Sequence, residues 1–409
     1  MNNIAYLRER RTGWALLYNY LLSEPLYTIY GLVGFILYRD LGASPFAIAI
    51  LTTAKPVVTI LSFYWSSGLK GKASRLKSNT IWAGFWMRAP FLLCPWFDSA
   101  SYLIAASVNY MFFYRAGAPA WTEILRRNIS EEKRGRWFSL VSGIAYAESV
   151  IIALGIGGVL DHEPGLWKFF FSGAAFIGIL SLFILRKINL EVVDEEEVKI
   201  SFKESIKRPW RDLFLLMKER PDFSLFQWGL MLWGLGLMVI QPALPIFVVD
   251  WLGVSYVEIA AAVSVAKGIG FSLSAPLWGR LLEKKSIFQV SSIIFGAMGF
   301  FPVILCFANV QIAWLYIACF WYGVGQAGGH LIWNLSGPIF AGKEESHRYT
   351  GVNVAMAGLR GIFGPSIGGY LSVIWGPIQV LAIGAILCFC SGSLLWIRAG
   401  RKNPFVRIP

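Results

Sequence analysis

Apolar residues in this chain come in long runs separated by short polar gaps, not as one stripe per helix. An α-helix needs roughly 20 such residues to cross about 30 Å of hydrocarbon. Runs of that length are predicted at 14–38, 44–67, 77–96, 99–122, 136–160 and 166–186. They resume at 224–249, 256–279, 286–308, 311–337, 349–372 and 376–398. The interval between the two sets, 187–223, is the longest polar stretch, with Asp194-Glu195-Glu196-Glu197 followed by Lys203, Lys207, Arg208 and Arg211. The pattern predicts an all-α polytopic membrane protein of twelve helices: a six-helix bundle over 1–186, a cytoplasmic linker over 187–223, and a second bundle over 224–409. Within the linker, Trp210, Leu213, Phe214, Leu216 and Met217 have helical apolar spacing that suits the membrane surface. A solvated connector is the plainer reading.

Composition agrees. Of 409 residues 56% are hydrophobic and only 15% charged, with mean hydropathy +0.56, against about 25% charged in a soluble domain. The net charge of +13 raises nucleic acid as a partner, but its distribution argues against one. Basic residues collect in alternate loops: Lys70, Lys72, Arg75 and Lys77; Arg126, Arg127, Lys133, Arg134 and Arg136; Arg280, Lys284 and Lys285; Lys343 and Arg348. Cytoplasmic loops are enriched in this way. The reading is a multi-pass protein of the plasma (cell inner) membrane with both termini cytoplasmic, since Arg398, Arg401, Lys402 and Arg407 match the basic start. That start precedes a span-length apolar segment without a small-x-small cleavage site, so a first permanent helix is expected, not a signal peptide. The five cysteines all fall inside or at the end of apolar runs, and neither disulfides nor a metal site is expected.

The two sets of spans repeat each other. Leu41-Gly42-Ala43-Ser44 matches Leu252-Gly253-Val254-Ser255 at a shift of 211 (252 − 41), and Gly68 matches Gly279 at the same shift. So do Ala116-Gly117 with Ala327-Gly328, and Ile156-Gly157-Gly158 with Ile367-Gly368-Gly369. Parallel repeats of this kind are a transporter architecture. Gly279-Arg280-Leu281-Leu282-Glu283-Lys284-Lys285 is similar to a glycine-x-leucine-x-acid-basic signature, while Gly68-Leu69-Lys70-Gly71-Lys72 keeps the glycine and basic residues without the acid. On these features the chain resembles the major facilitator superfamily over essentially its whole length. That resemblance implies a secondary transporter working by alternating access, with Gly68, Gly279, Arg280 and Glu283 in gating loops. A monomer with no cofactor is expected.

Ionisable residues deep in spans cost about 2.5–3.5 kcal/mol each at a helix centre and mostly face a cavity or one another. Here they are Glu24, Lys55, Arg88, Glu148, Lys267 and Arg360, with Arg115 nearer the cytoplasmic side. Lys55 and Lys267 are related by 212 residues (267 − 55), close to the repeat shift, which puts two ammonium groups at matching depth on opposite bundles. Five cations against two carboxylates leave positive charge that pairing cannot cancel, and an anionic substrate would neutralise it. Lys55, Lys267, Arg360, Arg115 and Arg88 are therefore the candidate substrate contacts. Glu24 and Glu148 have two readings: ion pairs such as Glu24–Arg88 and Glu148–Arg115, or carriers of a coupling H+. Asn109, Gln241, Gln326 and Asn353 are candidate polar residues of a cavity, and His330 reads as a helix–helix hydrogen bond.

Gly323-Val324-Gly325-Gln326-Ala327-Gly328 matches a dinucleotide-binding pattern but follows no strand; close helix packing explains it. The functional expectation is a secondary transporter of a small organic or phosphorylated anion, with membrane lipid as the surrounding partner. Efflux of amphipathic or lipid-like compounds is the alternative. From another class stand a lipid scramblase, which would not need Lys55 or Lys267, and an integral-membrane enzyme, for which the three histidines form no reactive constellation.

Overall fold

A computed structural model describes residues 3–67, 73–188, 202–342 and 346–399. Among these the chain is helical almost throughout, and no strand occurs. The helices are α1 (Asn3–Gly31), α2 (Val33–Arg39), α3 (Pro45–Ser67), α4 (Ala73–Leu92), α5 (Ala100–Asn128), α6 (Glu131–His162) and α7 (Trp167–Arg186). There follow α8 (Phe202–Glu219), α9 (Pro221–Ile240), α10 (Ala243–Ile246), α11 (Tyr256–Ala260) and α12 (Lys267–Lys284). The last are α13 (Ile287–Met298), α14 (Phe300–Cys306), α15 (Ala313–Ala341), α16 (Ser346–Ile374) and α17 (Pro377–Ala399). Two π-helical turns interrupt the series, Phe247–Trp251 after α10 and Ala261–Ala266 between α11 and α12.

Each predicted span falls on one helix or on consecutive ones, and the breaks have local causes. α1 and α2 meet at a bend of 41° around Gly31 and Leu32. Six described helical stretches, or seven counting the bent α1–α2 pair, are long and apolar enough to cross a membrane on composition alone. Others fall short because they carry the polar cargo: Arg75, Lys77 and Arg88 in α4, Arg115 and Glu123 in α5, Gln326 and His330 in α15, Arg360 in α16. Side chains such as Ile151 (73% exposed), Leu273 (65%) and Ile397 (66%) point outward. In water such a surface would aggregate; in hydrocarbon it is solvated.

The repeat noticed in the sequence is a repeat of local structure. Gly42 and Gly253 sit at φ +58° and +61°, the left-handed region that glycine enters without steric cost. Two residues on, the Ser44 hydroxyl accepts from Ala47 N and the Ser255 hydroxyl from Glu258 N, each at 3.2 Å. Each tetrapeptide is thus a tight corner followed by an N-cap. In the second copy Ser255 N also donates to Glu258 Oε2 at 2.7 Å, completing a capping box.

The chain forms two compact units. The first comprises Met1–Ala43, Val58–Ser201 and Ser255–Ala260; the second comprises Ser44–Val57, Phe202–Val254 and Ala261–Pro409. In the first unit, Phe91 stacks on Phe171 at 4.9 Å, with Tyr30 and Tyr110 against it. α11 belongs here because Asp161, at the end of α6, accepts from Tyr256 N (2.6 Å) and Val257 N (3.0 Å). Gly157 makes room for the Tyr256 carbonyl, and the Tyr256 hydroxyl donates to Asp40 at 2.9 Å. Arg39 completes the cluster, 3.7 Å from Asp161 and over the Tyr256 ring. Asp161→Ala is expected to cost about 0.5–2 kcal/mol, the usual worth of a lost cap. Hydrogen exchange at Tyr256 and Val257 should rise, less so in Asp161→Asn; unchanged protection would show that the cap is dispensable.

The second unit has an aromatic core of Phe223, Phe226, Phe288, Phe340 and Tyr349. α8 lies in the stretch expected as a solvated connector, and this expectation is corrected: Leu213 and Leu216 are buried in that core, because its apolar residues recur at helical spacing on one face. The start of α3 also belongs here. Pro56 packs on Gly361 and Ala49 on Gly369, while Thr53 and Ser366 hydroxyls bond at 3.1 Å.

Candidate substrate and proton site

In the first unit, three helices bring one polar group together. Tyr20, Glu24 and Tyr27 recur at helical spacing on α1 and share a face. Tyr114 and Arg115 of α5 and Glu148 of α6 lie within electrostatic range of that face. Glu24 and Glu148 are near enough to repel each other. Both carboxylates are half-buried, and Glu148 Oε2 is a buried atom with no hydrogen-bond partner among the described residues. Tyr27 and Tyr114 are 55% and 42% exposed, and Arg115 is exposed as well, so the group faces open space and not packed protein.

The ion pairs Glu24–Arg88 and Glu148–Arg115 are not formed among the described residues. Arg88 is buried elsewhere in the bundle: its Nη1 donates to Gly84 O and its Nη2 to Ser23 Oγ, both at 2.7 Å. Ser23 bonds in turn to Asn19 O, and Asn19 Oδ1 accepts from Ser181 Oγ at 3.0 Å. This network ties α4 to α1 and α7, with Gly178 leaving space for the guanidinium. Asn109 donates to Trp86 O at 2.6 Å, linking α5 to α4.

Arg360 has the same style of placement in the second unit. Its Nη1 donates to Leu230 O at 2.6 Å, it lies over the Trp333 ring, and Gly234 makes room for it. Its Nε is a buried atom without a partner among the described residues. Asn353 is 1% exposed, with both ends of its amide used: Gln227 Nε2 donates to Oδ1, and Nδ2 donates to Ser336 Oγ at 2.9 Å. Asn353→Ala would strand both partners in a buried site, at a cost of about 1–3 kcal/mol. A matching loss of thermal stability without a change in substrate affinity is expected; weakened affinity at full stability would instead make Asn353 a ligand contact.

Lys55 and Lys267 are both half-buried, and both belong to the second unit. Pro56 and Ala49, on the same helix as Lys55, pack against α16. Lys267 opens α12 directly after a π-helical turn, a distortion that often marks functional sites. It lies beside Cys319 of α15 and has no hydrogen-bond or ion-pair partner among the described residues. Gln241 and Gln326 side chains are half-buried and likewise unpartnered among those residues. His330 bonds not to another helix but to Asn334 one turn along α15, through Asn334 Nδ2 to His330 O at 2.7 Å. Gly279, Arg280 and Glu283 form the last turns of α12, not a loop, with Arg280 and Glu283 exposed and open space around Gly279. Gly68 lies outside the described residues.

These placements define a helical membrane protein whose long helices carry ionisable side chains, several without an ion-pair partner among the described residues, the form of a solute transporter. A model of the Major Facilitator Superfamily matches residues 19–365. The chain belongs to that superfamily and is a transporter of its fold. It is 22% identical over 291 residues to the proton-coupled antiporter flippase LtaA of Staphylococcus epidermidis, covering 68% of this chain and 67% of that protein. Among solved structures, a mutant form of the nucleoside transporter NupG is similar at a TM-score of 0.73 with 12% identity, covering 94% of this chain and 99% of NupG. A POT family transporter in complex with 5-aminolevulinic acid gives 0.72 with 12% identity, covering 95% and 96%. Likeness at that identity speaks for the fold alone.

Proposed function

We propose that this protein is a proton-coupled secondary transporter that carries an organic molecule with an anionic group. The observation that carries the reading is the pair Glu24 and Glu148: two half-buried carboxylates on the neighbouring helices α1 and α6, close enough to interact, with no ion pair to either among the described residues. A proton taken up by one relieves the repulsion, and release restores it. Alternating access would let that exchange happen on each face in turn. Lys267, a cation without a hydrogen-bond or ion-pair partner among the described residues, is the proposed anion contact. Arg88 and Arg360, held by backbone carbonyls, are proposed to brace the bundles instead. The relative LtaA is described as a proton-coupled antiporter, which supports proton coupling and favours exchange over symport.

That relative is also a flippase, and with the exposed tyrosines beside Glu24 this favours a second reading, an amphipathic or lipid-like substrate with an anionic headgroup. Proteoliposomes holding a pH-sensitive dye would test both. Water-soluble anions, neutral solutes and cations are supplied in turn, and fluorescent anionic lipids are scored for movement between leaflets. Proton flux driven by anions and lost in Lys267→Ala is expected. Flux driven only by cations or neutral solutes would overturn the anion assignment, and lipid movement alone would select the second reading.

A further inference from the structure

Away from the membrane-embedded charges, the first unit carries an open trough of about 990 Å³ where the start of α1 meets the end of α7. Its floor is apolar and aromatic, with Trp14, Ala15, Tyr18 and Ile184, and its rim is basic, with Arg10, Arg11 and Lys187. No carboxylate among the described residues lines it. The three basic side chains are exposed, and none has an acceptor among the described residues. Trp14 stacks on Tyr18 at 5.8 Å, two aromatics of the kind that settle at headgroup level. The negative end of α7 would repel an anion, but it is already occupied: Lys77 Nζ donates to Arg186 O and to Ile188 O (3.0 Å).

The opposite flank of α7 repeats the arrangement. A second trough, about 630 Å³, runs between α4 and α7 over Trp82, Phe85 and Phe183, with Lys77 and Arg186 at its basic end. Arg186 lies over the Phe183 ring at 5.2 Å, and its guanidinium has no acceptor among the described residues. One helix end is therefore flanked on both sides by apolar channels leading to cations.

We propose that the α1–α7 trough is a binding site for an anionic phospholipid, its phosphate held by Arg10, Arg11 and Lys187 and an acyl chain laid along Trp14, Tyr18 and Ile184. Charge selects the headgroup and the apolar floor selects a lipid over a soluble phosphate. Basic pockets between membrane helices recognise lipids in this way. The site is independent of the transport reading and needs neither Glu24 nor Lys267.

The test uses full-length protein in a neutral detergent, with thermal stability and retained lipid (by native mass spectrometry) read against added phosphatidylglycerol, phosphatidylcholine or glycerol phosphate. Phosphatidylglycerol alone should stabilise the wild type. The triple variant Arg10→Ala, Arg11→Ala, Lys187→Ala should bind it at least tenfold more weakly, three lost headgroup contacts permitting roughly a hundredfold. Arg10→Lys with Arg11→Lys should keep most of the effect, and Lys284→Ala with Lys285→Ala, exposed elsewhere, should keep all of it. Equal response to phosphatidylcholine, full response to glycerol phosphate, or an unaltered triple variant would each overturn the proposal.

Discussion

Glu24→Gln is expected to abolish substrate-driven proton flux while leaving substrate binding within a few-fold of wild type. Glutamine keeps the size of the side chain and its place between Tyr20 and Tyr27 but can neither bind nor release a proton. Glu148→Gln should do the same, because the repulsion that drives release needs both carboxylates. With the pair acting as one titrating unit, the double variant should be no worse than either single one, the non-additivity expected of coupled sites. Proton flux should fall at least tenfold, while exchange of labelled for unlabelled substrate at equal pH persists, since that exchange needs no net proton movement. Proton flux surviving both substitutions would end the coupling role of the pair. Loss of exchange together with flux would make the carboxylates substrate contacts.

Gly323→Val is expected to be among the most damaging single substitutions in the second unit. A Cβ at Gly323 would stand 2.8 Å from Lys267 C and 2.9 Å from Phe271 N, and nearer still to the Lys267 carbonyl oxygen. Gly270 is the reciprocal position, where a Cβ would meet the Phe320 carbonyl. Neither obstacle is a side chain that can swing away, so α12 and α15 must part. Overpacking typically costs about 1–3 kcal/mol, and a backbone obstacle puts this case at the upper end or beyond. The variant should lose several degrees of thermal stability in detergent, measured by size-exclusion survival after heating. It should also lose transport, because the displaced segment carries Lys267. A Gly323→Val protein of wild-type stability would show that the contact between these helices is looser than its geometry.

Much of this was legible in the sequence, for identifiable reasons. Span positions follow from run length, and Gly42 and Gly253 announced the repeat because a left-handed corner leaves little choice of residue. Glu24 and Glu148 were recognisable as costly residues, but their mutual proximity was not, since it depends on how α1 and α6 pack. Arg88 and Arg360 looked like anion contacts because a sequence lists charges without backbone acceptors; Gly84 O and Leu230 O supply them. The tyrosine face beside Glu24 was within reach, from the spacing of Tyr20, Glu24 and Tyr27. The Asp161 cap on α11 was not, because residues 95 positions apart share no local pattern.

The π-helical turn ahead of Lys267 has one further consequence. The two tetrapeptide corners are 211 residues apart, yet the two lysines are 212 apart. A π-helical turn is an α-helix with a residue inserted, and the turn at Ala261–Ala266 lies between the Ser255 corner and Lys267. The surplus residue is taken up as a local swelling of the coil instead of a slip along it. Lys267 thus stands twelve residues past Ser255 where Lys55 stands eleven past Ser44, and the π-helical turn falls within the longer interval.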